Sequence, residues 1–109
     1  MGFVKVAETS EIPAGKTKMA RLEEKEILIA NVNGNYYAIE DRCTHAGGDL
    51  SKGSLEGSIA TCPKHGAKFD VTTGKVVLGP KILFMHPKIN DEPSYEVKVE
   101  GKDILLKIE

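Results

Sequence analysis

Apolar and polar residues alternate with a period of two along much of the chain, which predicts β-strands rather than helices. Phe3–Val6 forms a short opening run, Lys25–Val32 is apolar and rich in β-branched residues, and a third run covers Tyr36–Ile39. Between the last two runs lies the pair Asn33-Gly34, and both residue types tolerate a positive φ. The pattern therefore predicts a β-hairpin at this point of the chain.

A second hairpin is predicted near the C-terminal end. Tyr95, Val97 and Val99 alternate with charged residues, and we expect this stripe to lie in the core. A turn at residues 100–102 then leads into a last strand, 103–108, whose alternate apolar side chains share one face. No window shows a sustained helical repeat with caps. These features predict an antiparallel all-β fold, a sandwich or a barrel.

Composition and charge narrow the class of protein. The 109 residues are 40% hydrophobic, which is typical of one globular domain, so we expect a single domain over residues 1–109. The 15 basic and 16 acidic side chains leave a net charge of −1 without a clustered basic run, which argues against nucleic-acid binding. No apolar stretch approaches the roughly 18 residues of a spanning helix. We therefore expect no membrane association and a cytoplasmic location.

The stretch from Asp41 to Val77 departs from the alternating pattern. It is rich in glycine, reads as irregular loop, and holds both cysteines and two of the three histidines. Long irregular loops in a small domain are usually functional. The sequence runs Cys43-Thr44-His45, then 16 residues, then Cys62-Pro63-Lys64-His65. Two thiolates and two imidazoles suit zinc or an iron–sulfur centre, although zinc sites usually pair Cys with Cys and His with His.

This motif resembles that of the Rieske family, in which C-x-H is followed after about 15–17 residues by C-x-x-H. CTHAGGDL and CPKHGAKFD are similar to the family's two cluster-binding loops, and NVNGNYYAIEDRC is similar to the hairpin that leads into the first. Gly79-Pro80 stands where the family has a third, proline-bearing loop. The resemblance covers residues 3–80 and the final hairpin. Residues 82–93 are longer and more irregular than the usual link and are not placed.

The resemblance implies a [2Fe–2S] cluster and its ligands. Cys43 and Cys62 would bind one iron, and His45 and His65 would bind the other through Nδ1. The implied fold is a Rieske-like β-sandwich or barrel with a small cluster-binding subdomain at about residues 41–80. The histidine pair would lie at the tip of the domain, where electrons leave.

Several neighbouring residues have two possible interpretations. Leu50 either shields the cluster or simply joins the core. Gly47, Gly48 and Gly66 either allow a positive φ or a close approach of the backbone, or make the loops flexible. Four basic residues near the ligands are either a docking patch for an acidic partner or an ordinary solvated face: Arg42, Lys52, Lys64 and Lys68. His86 has no neighbouring cysteine, and we expect an ordinary histidine there.

Two departures from the family pattern indicate the subfamily. Rieske proteins of respiratory cytochrome bc complexes carry an extra, disulfide-forming cysteine in each loop, and these positions here hold Gly48 and Lys64. Where those proteins place Ser and Tyr hydroxyls near the cluster, this chain has Ala67 and Phe69. The chain is therefore similar to soluble Rieske-type ferredoxins of ring-hydroxylating oxygenases, with a reduction potential at the low end of the Rieske range.

This resemblance implies an electron carrier rather than an enzyme. The carrier would take one electron from a flavin-containing, nicotinamide-dependent reductase and pass it to an oxygenase or another redox enzyme. One alternative is a small subunit of an enzyme complex, similar to that of nitrite reductase. The other is a zinc-stapled interaction domain without a redox role.

Overall fold

The computed structural model describes residues 2–42, 48–64, 66–79 and 89–107. In these residues it contains two single-turn 3-10 helices, Thr9–Glu11 and Leu50–Lys52, and no α-helix. The strands are β1 Phe3–Glu8, β2 Thr17–Leu22, β3 Lys25–Val32, β4 Asn35–Glu40, β5 Ser54–Glu56, β6 Ile59–Thr61, β7 Lys68–Asp70, β8 Val76–Leu78, β9 Ser94–Tyr95, β10 Val97–Glu100 and β11 Asp103–Lys107.

The strands form three sheets, and every described pairing is antiparallel. The strand orders are β1-β11-β10, β2-β3-β4-β9 and β5-β6-β7-β8. The predicted antiparallel all-β class is therefore confirmed. No helix in the described part of the chain has the length and apolar character needed to cross a membrane.

The first predicted hairpin forms where the Asn-Gly pair indicated it. β3 pairs with β4 so that Val32 lies opposite Asn35, with Asn33 and Gly34 in the turn at φ 55° and 91°. Two successive positive φ angles are the signature of a type I′ turn, whose twist matches that of the strands. The Asn31 side chain accepts a 2.7 Å hydrogen bond from the Gly34 N–H and so stabilises the turn.

The second predicted hairpin also forms, but one of its residues is not in the core. Ile104 and Leu106 of β11 are fully buried, and Tyr95 and Val97 pack against the same core. Val99, expected in the core, is 44% exposed, so that prediction was wrong. The reason is topological, because Val99 lies in β10, an edge strand that borders an open groove.

The stretch 41–77 is more regular than its sequence indicated. It contains β5, β6, β7 and β8, which form a four-stranded sheet, so its interpretation as irregular loop was wrong. Each of these strands has three residues, which is too short for apolar alternation to be visible. This sheet carries the second of the two predicted cluster-binding loops, between β6 and β7.

Strand β3 supplies side chains to both hydrophobic cores. Its alternate residues Leu28 and Ala30 join the core that lies against the β5–β8 sheet. Ile27 and Ile29, on its other face, join the core beneath the β1-β11-β10 sheet. A strand buried on both faces explains why KEILIANV is apolar with little alternation.

Part of the segment that the sequence left unplaced connects the two four-stranded sheets. Residues 89–93 bond to both: the Glu92 N–H donates to the Gly74 carbonyl at 2.7 Å, and the Pro93 carbonyl accepts from the Glu40 N–H at 3.0 Å. Residues 89–93 therefore attach the turn between β7 and β8, at one end of the β5–β8 sheet, to the edge of strand β4.

Candidate metal centre

The second predicted ligand loop is closed at its base by backbone hydrogen bonds. Cys62 follows β6 directly, and its side chain is 1% exposed. Its N–H donates to the Ala67 carbonyl at 2.8 Å, and its carbonyl accepts from the Gly66 N–H at 3.1 Å. These bonds close the base of the loop that leaves β6 after Cys62 and returns at Gly66.

Glycine is favoured at positions 66 and 48 for different physical reasons. Gly66 has φ 77°, and a Cβ there would meet nothing within 4 Å, so it is the left-handed backbone that favours glycine. At buried Gly48 a Cβ would instead lie 3.1 Å from Cys62 Sγ, a tight contact to which the neighbouring atoms would have to yield. Both observations support a backbone or close-approach reason for these glycines.

The two ends of the first predicted ligand loop are joined by hydrogen bonds to Asp41. Its carbonyl accepts from the Leu50 N–H at 2.7 Å, and its carboxylate accepts from the Ser51 N–H and hydroxyl at 2.7 and 3.1 Å. Arg42 and Asp49 form an antiparallel bridge between them. Burial raises the pKa of Asp41, and the bonds from Ser51 oppose that shift. Asp41 thus supports the first ligand loop, a role that its place as the first residue of the stretch 41–77 did not indicate.

The floor of the site is apolar. Leu50, Ala67 and Phe69 are at most 2% exposed and belong to the same core as Cys62. Leu50 therefore joins the core and also lies in the layer around the buried sulfur. None of the three side chains carries a hydrogen-bond donor.

Gly53, which follows the first predicted ligand loop, packs against the end of β6 just before Cys62. A Cβ on Gly53 would overlap the carbonyl oxygen of Thr61, the residue before Cys62. The φ of Gly53 is −93°, a value open to any residue, so the requirement for glycine comes from the contact alone.

We expect Gly53→Ala to lower the free energy of unfolding by about 2–3 kcal/mol, because the backbone must move to admit the methyl group. Gly57→Ala is the matched control, since Gly57 has φ 61° with nothing within 4 Å. The control should lose only about 1–2 kcal/mol, from left-handed strain. Urea denaturation of both variants measures the difference, and an equal loss would contradict a specific contact at Gly53.

The four basic residues near the site differ in their surroundings. Arg42 and Lys64 are exposed, and Lys52 is exposed but lies 3.4 Å from a carboxylate oxygen of Asp49. Lys68 is half-buried, and its ammonium donates to the Thr61 hydroxyl at 3.0 Å. A docking patch would therefore consist of the first three residues rather than Lys68.

Of the four predicted ligands, only Cys62 lies within the described residues. Cys43, His45 and His65 lie outside them, as does His86. The described residues nevertheless bring the two predicted loops together, because a Cβ on Gly48 of the first would lie 3.1 Å from the sulfur of Cys62 in the second.

The described residues fit an iron–sulfur group. Cys62 is buried, and a soft cysteine sulfur is the ligand that such clusters use. Its enclosure by glycine backbone and apolar side chains provides the low-dielectric surroundings that tune a cluster's potential. Fold and site together define a small antiparallel β protein in which two loops meet at a buried cysteine sulfur.

Comparison with known proteins identifies the family. The family model for the Rieske [2Fe-2S] domain matches residues 2–87, and the chain belongs to this family. Its cofactor is a [2Fe–2S] cluster. The resemblance stated from the CTHAGGDL and CPKHGAKFD motifs is therefore confirmed.

Individual relatives indicate the type of Rieske protein. The chain is 34% identical over 109 residues to the biphenyl dioxygenase ferredoxin subunit of Pseudomonas sp. strain KKS102, covering 97% of this chain and 92% of the relative. It is 35% identical over 111 residues to the biphenyl 2,3-dioxygenase ferredoxin component of Rhodococcus jostii strain RHA1, covering 100% and 95%. Both relatives are named as ferredoxin components of dioxygenase systems, and the chain matches each over nearly its whole length.

The fold is also similar to that of a chain in a solved complex. This structure contains reduced oxygenase and oxidised ferredoxin of carbazole 1,9a-dioxygenase. The TM-score is 0.82 with 28% identity, and the match covers 98% of this chain and 97% of the other. The predicted Rieske-like architecture is therefore confirmed.

Proposed function

We propose that this protein delivers single electrons to a terminal oxygenase. The observation that carries the proposal is the buried Cys62 sulfur, enclosed where the two ligand loops meet. Two relatives named as ferredoxin components of dioxygenase systems support it, because they match over nearly their whole length. The solved oxygenase–ferredoxin complex offers a precedent for the acceptor.

We propose Cys43 and Cys62 as ligands of one iron, and His45 and His65 as ligands of the other. Neutral imidazoles give the second iron less electron density than thiolates would, so the potential lies above that of all-Cys clusters. The rest of the site supports these ligands: the Cys62–Ala67 and Gly66–Cys62 hydrogen bonds set the spacing of the second loop. Asp41 closes the base of the first.

We propose a flavin-containing, nicotinamide-dependent reductase as the electron donor and the cytoplasm as the location. Ligand cysteines must remain reduced thiolates to bind iron, which suits a reducing compartment. We further propose that residues 1–109 act as one Rieske domain, with the cluster-binding loops at about residues 41–80. Strand β3 supports this unity by contributing to both cores.

Spectroscopy and reconstitution test the proposal. The purified protein should be red-brown and, when reduced, give a rhombic EPR signal of low average g, whereas a zinc protein would be colourless. Reduced protein mixed with a purified ring-hydroxylating oxygenase should then be reoxidised as product forms. A coloured protein that no such oxygenase reoxidises would contradict the acceptor and favour a subunit role in another enzyme complex.

Association with the oxygenase should depend on the exposed cations. We expect Lys64→Glu to slow association roughly two- to fivefold at low ionic strength and to leave the potential nearly unchanged, because rim charges act mainly on encounter. Lys68→Glu should have a smaller effect on association, since the Lys68 ammonium is engaged by Thr61. Lys98→Glu, in β10 of a different sheet, is the control. Stopped-flow rates against salt measure this, and equal salt dependence in all three variants would move the docking surface elsewhere.

A further inference from the structure

Two contacts meet at Gly48, between the predicted ligand loops. A Cβ there would lie 3.1 Å from Cys62 Sγ and also 3.1 Å from Lys64 Cγ, with Lys64 Cδ at 3.5 Å. Gly48 is buried, whereas Lys64 as a whole is exposed. The methylene stem of Lys64 thus lies across Gly48, in the way that long cationic side chains cover apolar surface while their charge stays in water.

We propose that the Lys64 stem is a non-covalent seal between the two ligand loops. It lies beside the Cys62 sulfur, on the side of Gly48 where a Cβ would stand, and keeps water and small reagents away from that ligand. This inference rests on the proposed role of Cys62 as an iron ligand. It gives Lys64 a positioning role that belongs to its methylene groups and is separate from any contribution of its charge to docking.

Two substitutions at Lys64 separate the effect of the methylene stem from the effect of the charge. Lys64→Ala removes both, whereas Lys64→Met removes the charge and keeps an unbranched apolar stem. We expect an iron chelator to bleach the visible absorption of Lys64→Ala about fivefold faster than that of wild type, equivalent to ~1 kcal/mol of loop opening. Lys64→Met should bleach at the wild-type rate, and so should Lys52→Ala, a control at an exposed lysine of the same region.

These rates discriminate between a seal and a charge effect. Wild-type bleaching in Lys64→Ala would overturn the proposal, and so would equally fast bleaching in Lys64→Met and Lys64→Ala. The EPR g-values of reduced Lys64→Ala should also shift, since the Cys62 ligand loses its packing. Global unfolding in urea serves as the comparison, because a merely structural residue would change stability and bleaching without changing the g-values.

The failures of this proposal and of the proposed function are distinguishable. A wild type that holds no cluster would contradict the proposed function. A wild type that holds its cluster and bleaches no more slowly than Lys64→Ala would contradict the seal alone.

Discussion

Cys43→Ser and His65→Ala are each expected to give a colourless protein, with iron falling from about two per chain to near zero. Each variant leaves one iron with an open ligand position, and binding of the metal is coupled to ordering of the loops that hold it. The loss should therefore be nearly complete rather than graded. Iron analysis and the visible spectrum of freshly purified protein measure it.

His86→Ala is the matched control for these ligand variants. His86 is the one histidine outside the two motifs and has no neighbouring cysteine, so the variant should keep the wild-type colour and iron content. Native absorption in Cys43→Ser and His65→Ala would disprove the ligand assignment. Loss of colour in His86→Ala would add a fifth residue, with a structural or ligand role, that the motif does not include.

The parts of this structure that could be predicted from the sequence depend on local patterns. The β3–β4 hairpin was visible because Asn33-Gly34 sits between two apolar runs, and a two-residue turn of this kind fixes the register. The ligand motif was visible for a similar reason, since Cys and His pairs recur at short, specific spacings. In both cases the residues that matter are within a few positions of one another.

What could not be predicted depends on contacts between distant parts of the chain. Asp41 accepts hydrogen bonds from Ser51, ten positions later, and no feature of the sequence marks that pair. Gly53 is required because of a backbone carbonyl at Thr61, which leaves no trace in residue type. Val99 alternates like a core residue, yet it is exposed near the end of β10, an edge strand.

The reduction potential should respond to hydroxyl groups placed in the floor of the site. Ala67 and Phe69 are 1% and 0% exposed and share a core with Cys62, and neither can donate a hydrogen bond from its side chain. A hydrogen bond to a cluster sulfur stabilises the reduced form more than the oxidised form, because reduction adds negative charge. Without such donors we expect a wild-type potential near the low end of the Rieske range, about −150 mV rather than about +300 mV.

Restoring the donors, as Ala67→Ser and Phe69→Tyr, is expected to raise the potential. If each hydroxyl favours the reduced state by about 1–2 kcal/mol, as hydrogen bonds to charged acceptors do, each should add roughly 40–90 mV, since 59 mV corresponds to a tenfold change for one electron. The double variant should therefore have a potential higher by roughly 80–180 mV. Protein-film voltammetry at fixed pH measures both the wild type and the variants.

Positions 67 and 69 are buried, so a hydroxyl introduced there needs a hydrogen-bond acceptor inside the protein. The experiment therefore has two distinguishable outcomes. If the hydroxyl bonds to the cluster, the potential rises and stability changes little. If it finds no acceptor, the free energy of unfolding falls by about 1–3 kcal/mol and the potential stays where it was. Val71→Thr, which adds a hydroxyl at a 1% exposed position of the same core, is the control and should show only the loss of stability. A wild-type potential well above zero, or an equal rise in the control, would show that hydroxyl groups at positions 67 and 69 do not set the potential of this protein.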